Sequence, residues 1–321
     1  MLAMRIHQLG QPMQLDTISA PVPGPGEVLL DVHACGVNFA DTLIVDGKYQ
    51  EKPPLPFSPG MEMSGVIHAV GPDVSTFVVG QRVASFSGTG GFSQQTCVDV
   101  TKCVPIPDQM SDEQAAGFLV AYGTAHVALA HRAALAADET LLVLGASGGI
   151  GMTAIELGKI MGATVIAIAR GAEKLKVCAD AGADHLIDSE TADIRAAVKA
   201  LGGADVIYDP VGGAQFDAAF RAINPGGRIL PLGFASGDIP QIPANILLVK
   251  NLTVHGVYWG GYPKLAPNVL RDSFTELFDW FVQGKLHPHI SHVLPLDQAG
   301  AALDLLRNRK ATGKVVVSIP H

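Results

Sequence analysis

The stretch LVLGASGGIGMTAIELGKIMG, residues 142–162, passes from an apolar run through a cluster of glycines into a segment with helical spacing. A strand that turns directly into a helix needs small residues at the turn, and their positions decide what the turn can hold. Read as x-x-G-x-x-G, Gly148 lets the backbone approach a pyrophosphate and Gly151 lets the helix pack closely on the sheet. Ala146 stands where the first glycine of the full G-x-G-x-x-G pattern would be, so the match is partial. The free N–H groups of the helix start, with the positive end of its dipole, favour a bound dianion. Ser147, Gly148, Gly149 and Ile150 are therefore candidate cofactor-binding residues. No Gly-Lys-Ser/Thr follows, which excludes a Walker A loop. A glycine-rich turn that binds nothing is the plain alternative, and the complete strand–loop–helix frame argues against it.

The pattern continues on the C-terminal side. TVIAIA, HLID, ADVIYD and GRILPLG read as strands, separated by helical segments such as EKLKVCADAG, ADIRAAVKAL and AQFDAAFRAI. Strands this apolar are covered on both faces, which predicts a doubly wound parallel sheet of α/β class. KNLTVHGVYW supplies a sixth strand. On the N-terminal side the texture differs. Turn signals such as PVPGPGE and SGTGG separate short runs, EVLLDVHA, SGVIHAV, RVASF and FSQQTCVDV, as expected of an antiparallel β domain. Between the two textures, Ser111 and Gln114 form a capping box opening an Ala-rich helical stretch. After the sheet come an amphipathic helix, APNVLRDSFTELFDWFVQGKL, and a closing strand, GKVVVSIP.

Composition narrows the function. In 321 residues, 48% are hydrophobic and 16% charged, and the formal net charge is −8. That is core material enough for two domains and the wrong sign for a phosphate-backbone partner, so no nucleic acid is expected. No run is long and apolar enough for a spanning helix, and the start lacks a signal-peptide pattern, so a cytoplasmic protein without a membrane partner is expected. Four scattered cysteines with no C-x-x-C pair give neither a disulfide framework nor zinc-finger spacing. His287, His289 and His292 lie close in KLHPHISH, but no carboxylate or cysteine accompanies them, and ordinary surface or core histidines are expected.

The second strand of the parallel sheet selects the dinucleotide. An NAD site usually ends that strand with a carboxylate. Here TVIAIARGAEK ends with Ala169, followed by Arg170 and, one helical turn on, Lys174. Cationic side chains pair with a 2′-phosphate where a carboxylate would repel it. The expected cofactor is NADPH.

With these motifs in order, the chain resembles the medium-chain dehydrogenase/reductase superfamily, and within it the zinc-free quinone oxidoreductase (zeta-crystallin-like) family. The resemblance rests on GVNFADTLIVDGKY, PGMEMSGVI, SGGIG and TGKVVV and covers essentially the whole chain. It implies a GroES-like catalytic domain, residues 1–121 and 258–321, with a Rossmann NADP-binding domain, 122–257, inserted in it. An active cleft is expected between the two, at the carboxyl ends of the strands. Zinc-dependent relatives carry Cys-His-Thr-Asp where this chain has Asn38-Phe39-Ala40-Asp41, and Gly-His-Glu where it has Gly60-Met61-Glu62. Neither Asn38 nor Met61 suits zinc, so no metal is expected.

Without a Lewis acid, the accessible acceptors are those that delocalise the incoming charge themselves, a quinone or an α,β-unsaturated carbonyl. Asn38 and Tyr49 are the candidate catalytic donors, Tyr49 being either a proton donor or an aromatic shelf. Asp41 fits a structural hydrogen-bonding role, and Glu62 that of a buried carboxylate paired with a cation. The resemblance further implies cofactor contacts from Asn38, Thr124, Gly233, Phe234, Tyr258 and Trp259. Ser189 stands where relatives often have a Tyr near the 2′-phosphate. Lys310 or Lys314 would reach the cofactor from the C-terminal segment, a surface charge being the equal alternative for either. Relatives pair their sixth strands across a two-fold axis, which implies a homodimer through the edge between Leu252 and Gly256. An enoyl-thioester reductase and a non-catalytic NADPH-binding protein are the alternative readings.

Overall fold

The computed structural model describes residues 1–320. The chain forms two compact units, Met1–Val120 with the stretch from Pro288 onward, and Ala121–His287. The second crossing therefore falls later than the expected 258. The reason is the amphipathic helix after the parallel sheet. Its Leu270, Phe274 and Leu277 are buried, and two of its rings meet Trp259 and His126 edge-on, so it belongs with the middle unit.

In chain order the first stretch holds β1 (Leu2–Arg5), β2 (Gln14–Thr17), β3 (Glu27–Val37), α1 (Phe39–Val45), β4 (Glu62–Val70), β5 (Arg82–Phe86), β6 (Gln95–Asp99), β7 (Cys103–Pro105) and α2 (Asp112–Ala116). Helix α3 (Leu119–His126) begins with the last two residues of that stretch, and the middle unit continues from it through β8 (Thr140–Val143), α4 (Gly149–Ile160), β9 (Thr164–Ala169), α5 (Ala172–Asp180), β10 (His185–Asp188), α6 (Ile194–Ala200), β11 (Ala204–Asp209), α7 (Gly213–Ala222), β12 (Ile223–Pro231), α8 (Ala244–Lys250), β13 (Thr253–Val254), α9 (Tyr262–Leu265) and α10 (Pro267–Val282). The return adds β14 (Ile290–Pro295), α11 (Ala299–Arg307) and β15 (Lys314–Ser318).

The middle unit is built on a six-stranded sheet, ordered β10-β9-β8-β11-β12-β13, with every pairing parallel. That is the doubly wound α/β arrangement expected from the alternation. Its order reverses between β8 and β11, the switch point outside which such sheets bind ligands. The core on one face is aliphatic and aromatic, with Leu142, Ile166, Ile168, Ile207 and Phe216 fully buried. Helix α4 stops at Met161 because Gly162 takes a φ of +85°, and its N–H closes on the Lys159 carbonyl.

The other unit carries a seven-stranded sheet along β14-β15-β3-β4-β5-β7, with β6 also on β3. Strand β15 pairs antiparallel with β3, setting Val315 opposite Val37, and β4 flanks the other side of β3 with Glu62 opposite Gly36. Three segments distant in sequence thereby converge at the end of β3. Gly36 is required there: a Cβ would meet the carbonyl oxygen of Ala116, so α2 lies against bare backbone. The capping box is formed, Ser111 accepting from the Gln114 N–H and Gln114 from the Ser111 N–H. No helix of the described residues is long and apolar enough to cross a membrane.

Candidate active site

The chemistry-bearing side chains gather in two places, one in each unit. In the β-rich unit the focus is Asn38, where β3 gives way to α1. As the N-cap residue Asn38 could have capped α1 with its own side chain. Asp41, at the third helical position, reaches back to the cap, its Oδ2 accepting the Asn38 N–H at 2.9 Å, while its Oδ1 accepts the Met61 N–H at 3.2 Å. The Asn38 amide is thus released toward β4 and β15. Its Nδ2 donates to Glu62 Oε1 at 2.9 Å, and its Oδ1 accepts from the Lys314 ammonium at 2.8 Å.

Lys314 also donates to Glu62 Oε1 at 2.6 Å and to the Val37 carbonyl at 3.1 Å, and Glu62 Oε2 accepts the Val120 N–H at 2.9 Å. Both members of the ion pair are buried, Glu62 at 0% and Lys314 at 7% relative exposure. A carboxylate taken out of water needs a cation and further donors, and this one has both. The structural role expected of Asp41 and the cation partner expected of Glu62 are present. The partner's identity is new, because Lys314 is placed by a strand pairing that local sequence does not reveal. Burial pushes Asp41 up to about 7, against the pull of the Asn38 N–H and the Lys314 charge. Burial, reinforced by the charges of Asp41 and Glu62, holds the Cys35 thiol well above its usual range, and the thiol donates to the Glu62 carbonyl at 3.0 Å. Tyr49 follows α1 and packs, partly buried, against the core of this unit. Lys310 is exposed in the turn after α11.

In the middle unit the loop between β8 and α4 carries Ser147 and Gly148, and Gly149 and Ile150 open the helix. The N–H groups of Gly149, Ile150 and Gly151 have no carbonyl one turn behind them within the helix. Gly151 packs as the sequence implies, since a Cβ would stand 2.5 Å from the Gly145 carbonyl oxygen and 2.7 Å from that of Ala146. Strands β9 and β10 end side by side, Ala169 opposite Asp188, so Arg170 and Ser189 leave the sheet as neighbours. Lys174 lies in the first turn of α5. Arg170 Nε is 3.7 Å from Glu190 Oε1, an acidic contact that the local pattern does not reveal. Asp188 Oδ1 accepts the Gly171 and Glu190 N–H groups, which hold its carboxyl below the usual range. This junction offers a half-exposed guanidinium, an ammonium and a hydroxyl, a set suited to a phosphate monoester, with Glu190 and Asp188 as acidic neighbours.

The remaining residues divide by exposure. Phe234 and Tyr258 are open to solvent at 40% and 45%, and Gly233 precedes Phe234 in the loop after β12. Trp259 is buried, edge-on to Phe274, and a Cβ on Gly123 would meet its indole at 2.8 Å. It is a core residue of this unit. Thr124 is buried on α3. The three histidines of the sequence run have separate partners: the His287 N–H donates to Glu156, His289 pairs with Thr312, and His292 with Ser291.

Residues 24–108 match the family model described as the alcohol dehydrogenase GroES-like domain, and residues 149–282 match the model described as zinc-binding dehydrogenase. The pair defines the class, a medium-chain dehydrogenase/reductase. The quinone oxidoreductase-like protein 2 homolog of Nematostella vectensis is 42% identical, over 98% of this chain and 88% of its own length. The mouse quinone oxidoreductase-like protein 2 is 40% identical over 97% of this chain and 90% of its own. Among solved structures, the Escherichia coli quinone oxidoreductase complexed with NADPH superposes with a TM-score of 0.93 at 26% identity, covering 99% of this chain and 100% of that one. A mycobacterial protein complexed with NADPH gives 0.92 at 30% identity, covering 99% of each chain. The chain belongs to the quinone oxidoreductase family of the medium-chain dehydrogenases/reductases, a family of oxidoreductases.

The zinc ion implied by the description of the second family model does not fit the donors present. Zinc takes thiolate, imidazole or carboxylate. Here Asn38 and Met61 stand at the two altered positions, Cys35 is held as a thiol, both Asp41 oxygens accept N–H groups, and Glu62 faces an ammonium. Among the described residues no three His, Cys, Asp or Glu side chains are grouped to hold a metal ion.

Proposed function

We propose that this protein is an NADPH-dependent reductase that delivers hydride to a quinone or an α,β-unsaturated carbonyl without a metal. NADPH, when bound, supplies the hydride. The start of α4 receives the pyrophosphate on its N–H groups, and Gly148 leaves the backbone bare for the approach. Arg170, Lys174 and Ser189 recognise the 2′-phosphate. Gly233, Phe234, Tyr258 and Thr124 lie toward the nicotinamide end. Asn38 offers an amide N–H to the acceptor oxygen as that oxygen gains charge, and Tyr49 adds a hydroxyl or shapes the ring's seat. The acceptor spreads the arriving charge over its own conjugated atoms, so one or two fixed donors suffice.

The observation that carries this reading is the Asn38 amide, bonded on both sides to Glu62 and Lys314 at the position where zinc-dependent relatives place a cysteine. A homodimer through the edge strand β13 belongs to the same reading. The test is loss of the reduced nicotinamide band near ~340 nm with a panel of quinones and enones, run with NADPH and NADH, before and after dialysis against a chelator. Turnover that prefers NADPH and survives chelation is expected. Turnover of plain alcohols that dies with the chelator, or binding of NADPH with no turnover of any acceptor, would overturn the proposal.

A further inference from the structure

An asparagine amide can rotate by half a turn and exchange its oxygen for its nitrogen, so a lone Asn is a poor choice for a donor of fixed direction. Around Asn38 that freedom is removed. A flipped amide would set Oδ1 against Glu62 Oε1 and Nδ2 against the Lys314 ammonium, acceptor on acceptor and donor on donor, at the positions now bonded at 2.9 and 2.8 Å. The two flanking groups cannot yield. All three ammonium protons of Lys314 are engaged, by the Val37 carbonyl, Asn38 and Glu62. Glu62 is held on its other oxygen by the Val120 N–H. The backbone of Asn38 is fixed as well, its N–H on Asp41 and its carbonyl accepting the Asp41 N–H at 3.0 Å. Every polar atom of the amide is then spoken for except one of the two protons on Nδ2. The ammonium on Oδ1 also polarises the amide, making that proton a better donor.

We infer that Lys314 is a positioning residue: with Glu62 it locks the Asn38 amide so that a single N–H is left, aimed and polarised, for the acceptor oxygen. This rests on the reading of Asn38 as the acceptor's donor, and it moves Lys314 from the cofactor role implied by resemblance to one exerted through another side chain.

A double-mutant cycle tests it. Asn38→Ala, Lys314→Met and the combination are compared with the full-length protein for kcat and KM toward one accepted quinone, and for the dissociation constant of NADPH. Loss of one such donor lowers kcat on the order of a hundred-fold, and loss of its supporting partner roughly ten-fold or more. The expected result is that Lys314→Met lowers kcat with little change in NADPH affinity, and lowers it no further once Asn38→Ala is present. Should Lys314→Met fail to fold because it strands the Glu62 charge, Glu62→Gln with Lys314→Met removes both charges and enters the cycle in its place. An equal kcat loss in both backgrounds overturns the inference and leaves the parent reading standing. A kcat untouched by Asn38→Ala overturns the parent reading and the inference together.

Discussion

Two alanine substitutions three residues apart should separate packing from ligand approach in the phosphate loop. At Gly151 a Cβ would lie 2.5 Å from the Gly145 oxygen, 2.7 Å from the Ala146 oxygen and 2.8 Å from the Ala146 carbon, where ordinary contact begins at 3.4 Å. All three are backbone atoms, so α4 or the loop must back away by roughly 0.6–0.9 Å, and overpacking of this kind costs about 1–3 kcal/mol. Alanine returns about 1 kcal/mol of helix propensity. The net loss is centred on about 1 kcal/mol, which lowers Tm by roughly 2–4 °C for a unit of this size. At Gly148 the only neighbour within 4 Å is the Gly145 oxygen, at 3.3 Å, and the backbone is extended at φ −80° and ψ 173°. Alanine fits there with a stability change within about 0.5 kcal/mol. On the proposed seating of the pyrophosphate its methyl would obstruct the approach, and we expect NADPH binding to weaken by about ten-fold or more, some 1.4 kcal/mol. Thermal unfolding of the ligand-free protein and fluorescence titration with NADPH read the two effects. An unchanged Tm for Gly151→Ala refutes the packing argument, and unchanged NADPH affinity for Gly148→Ala refutes the close approach.

Glu190→Gln should tighten NADPH by up to about five-fold, the scale of an exposed pair, leave NADH unchanged, and lose its effect in high salt; Arg170→Gln should abolish the preference, and equal shifts for both dinucleotides would refute the assignment. His126 is pushed below its ordinary 6.5 by burial, which outweighs the raising effect of Glu276 at 3.0 Å. Its folded value is the lower one, so its contribution is complete above 6.5 and lost as pH falls through that folded value; Tm should drop on acidification from neutral, and His126→Gln should flatten that slope. Just past β13 the His255 N–H donates inward to the Ile229 carbonyl, so by alternation the Val254 N–H points to the open edge. Light scattering should show Val254→Pro as a monomer with its circular dichroism intact, and a mass unchanged from the parent protein would exclude pairing through this strand.

Local pattern located much of this molecule. RVASF, TVIAIA, HLID and ADVIYD are β5, β9, β10 and β11 to the residue, because buried parallel strands and short hairpin strands declare themselves by composition and by the turns that bound them. KNLTVHGVYW fared worse: only Thr253 and Val254 pair, since an edge strand with one neighbour is trimmed by its surroundings. Helix α10 is legible as amphipathic, but nothing in its spacing says which core receives its apolar face. Asp41 and Glu62 were readable from the chemistry a buried carboxylate demands. Lys314 was not, because its place beside Asn38 is set by the register of β15 on β3, across 276 residues of chain. A pairing hypothesis for GKVVV, laid against HACGV with Val315 opposite Val37, would have found it.

That long connection has a consequence for how the protein is made. The middle unit is continuous in sequence and its sheet takes no strand from outside it, whereas the sheet around Asn38 lacks β14 and β15 until residues 290–318 have been added. A chain cut short before residue 314 would lack the ammonium that bonds both Asn38 and Glu62, leaving that carboxylate without its countercharge. The middle sheet is complete without any later strand, while the sheet around Asn38 waits on its last.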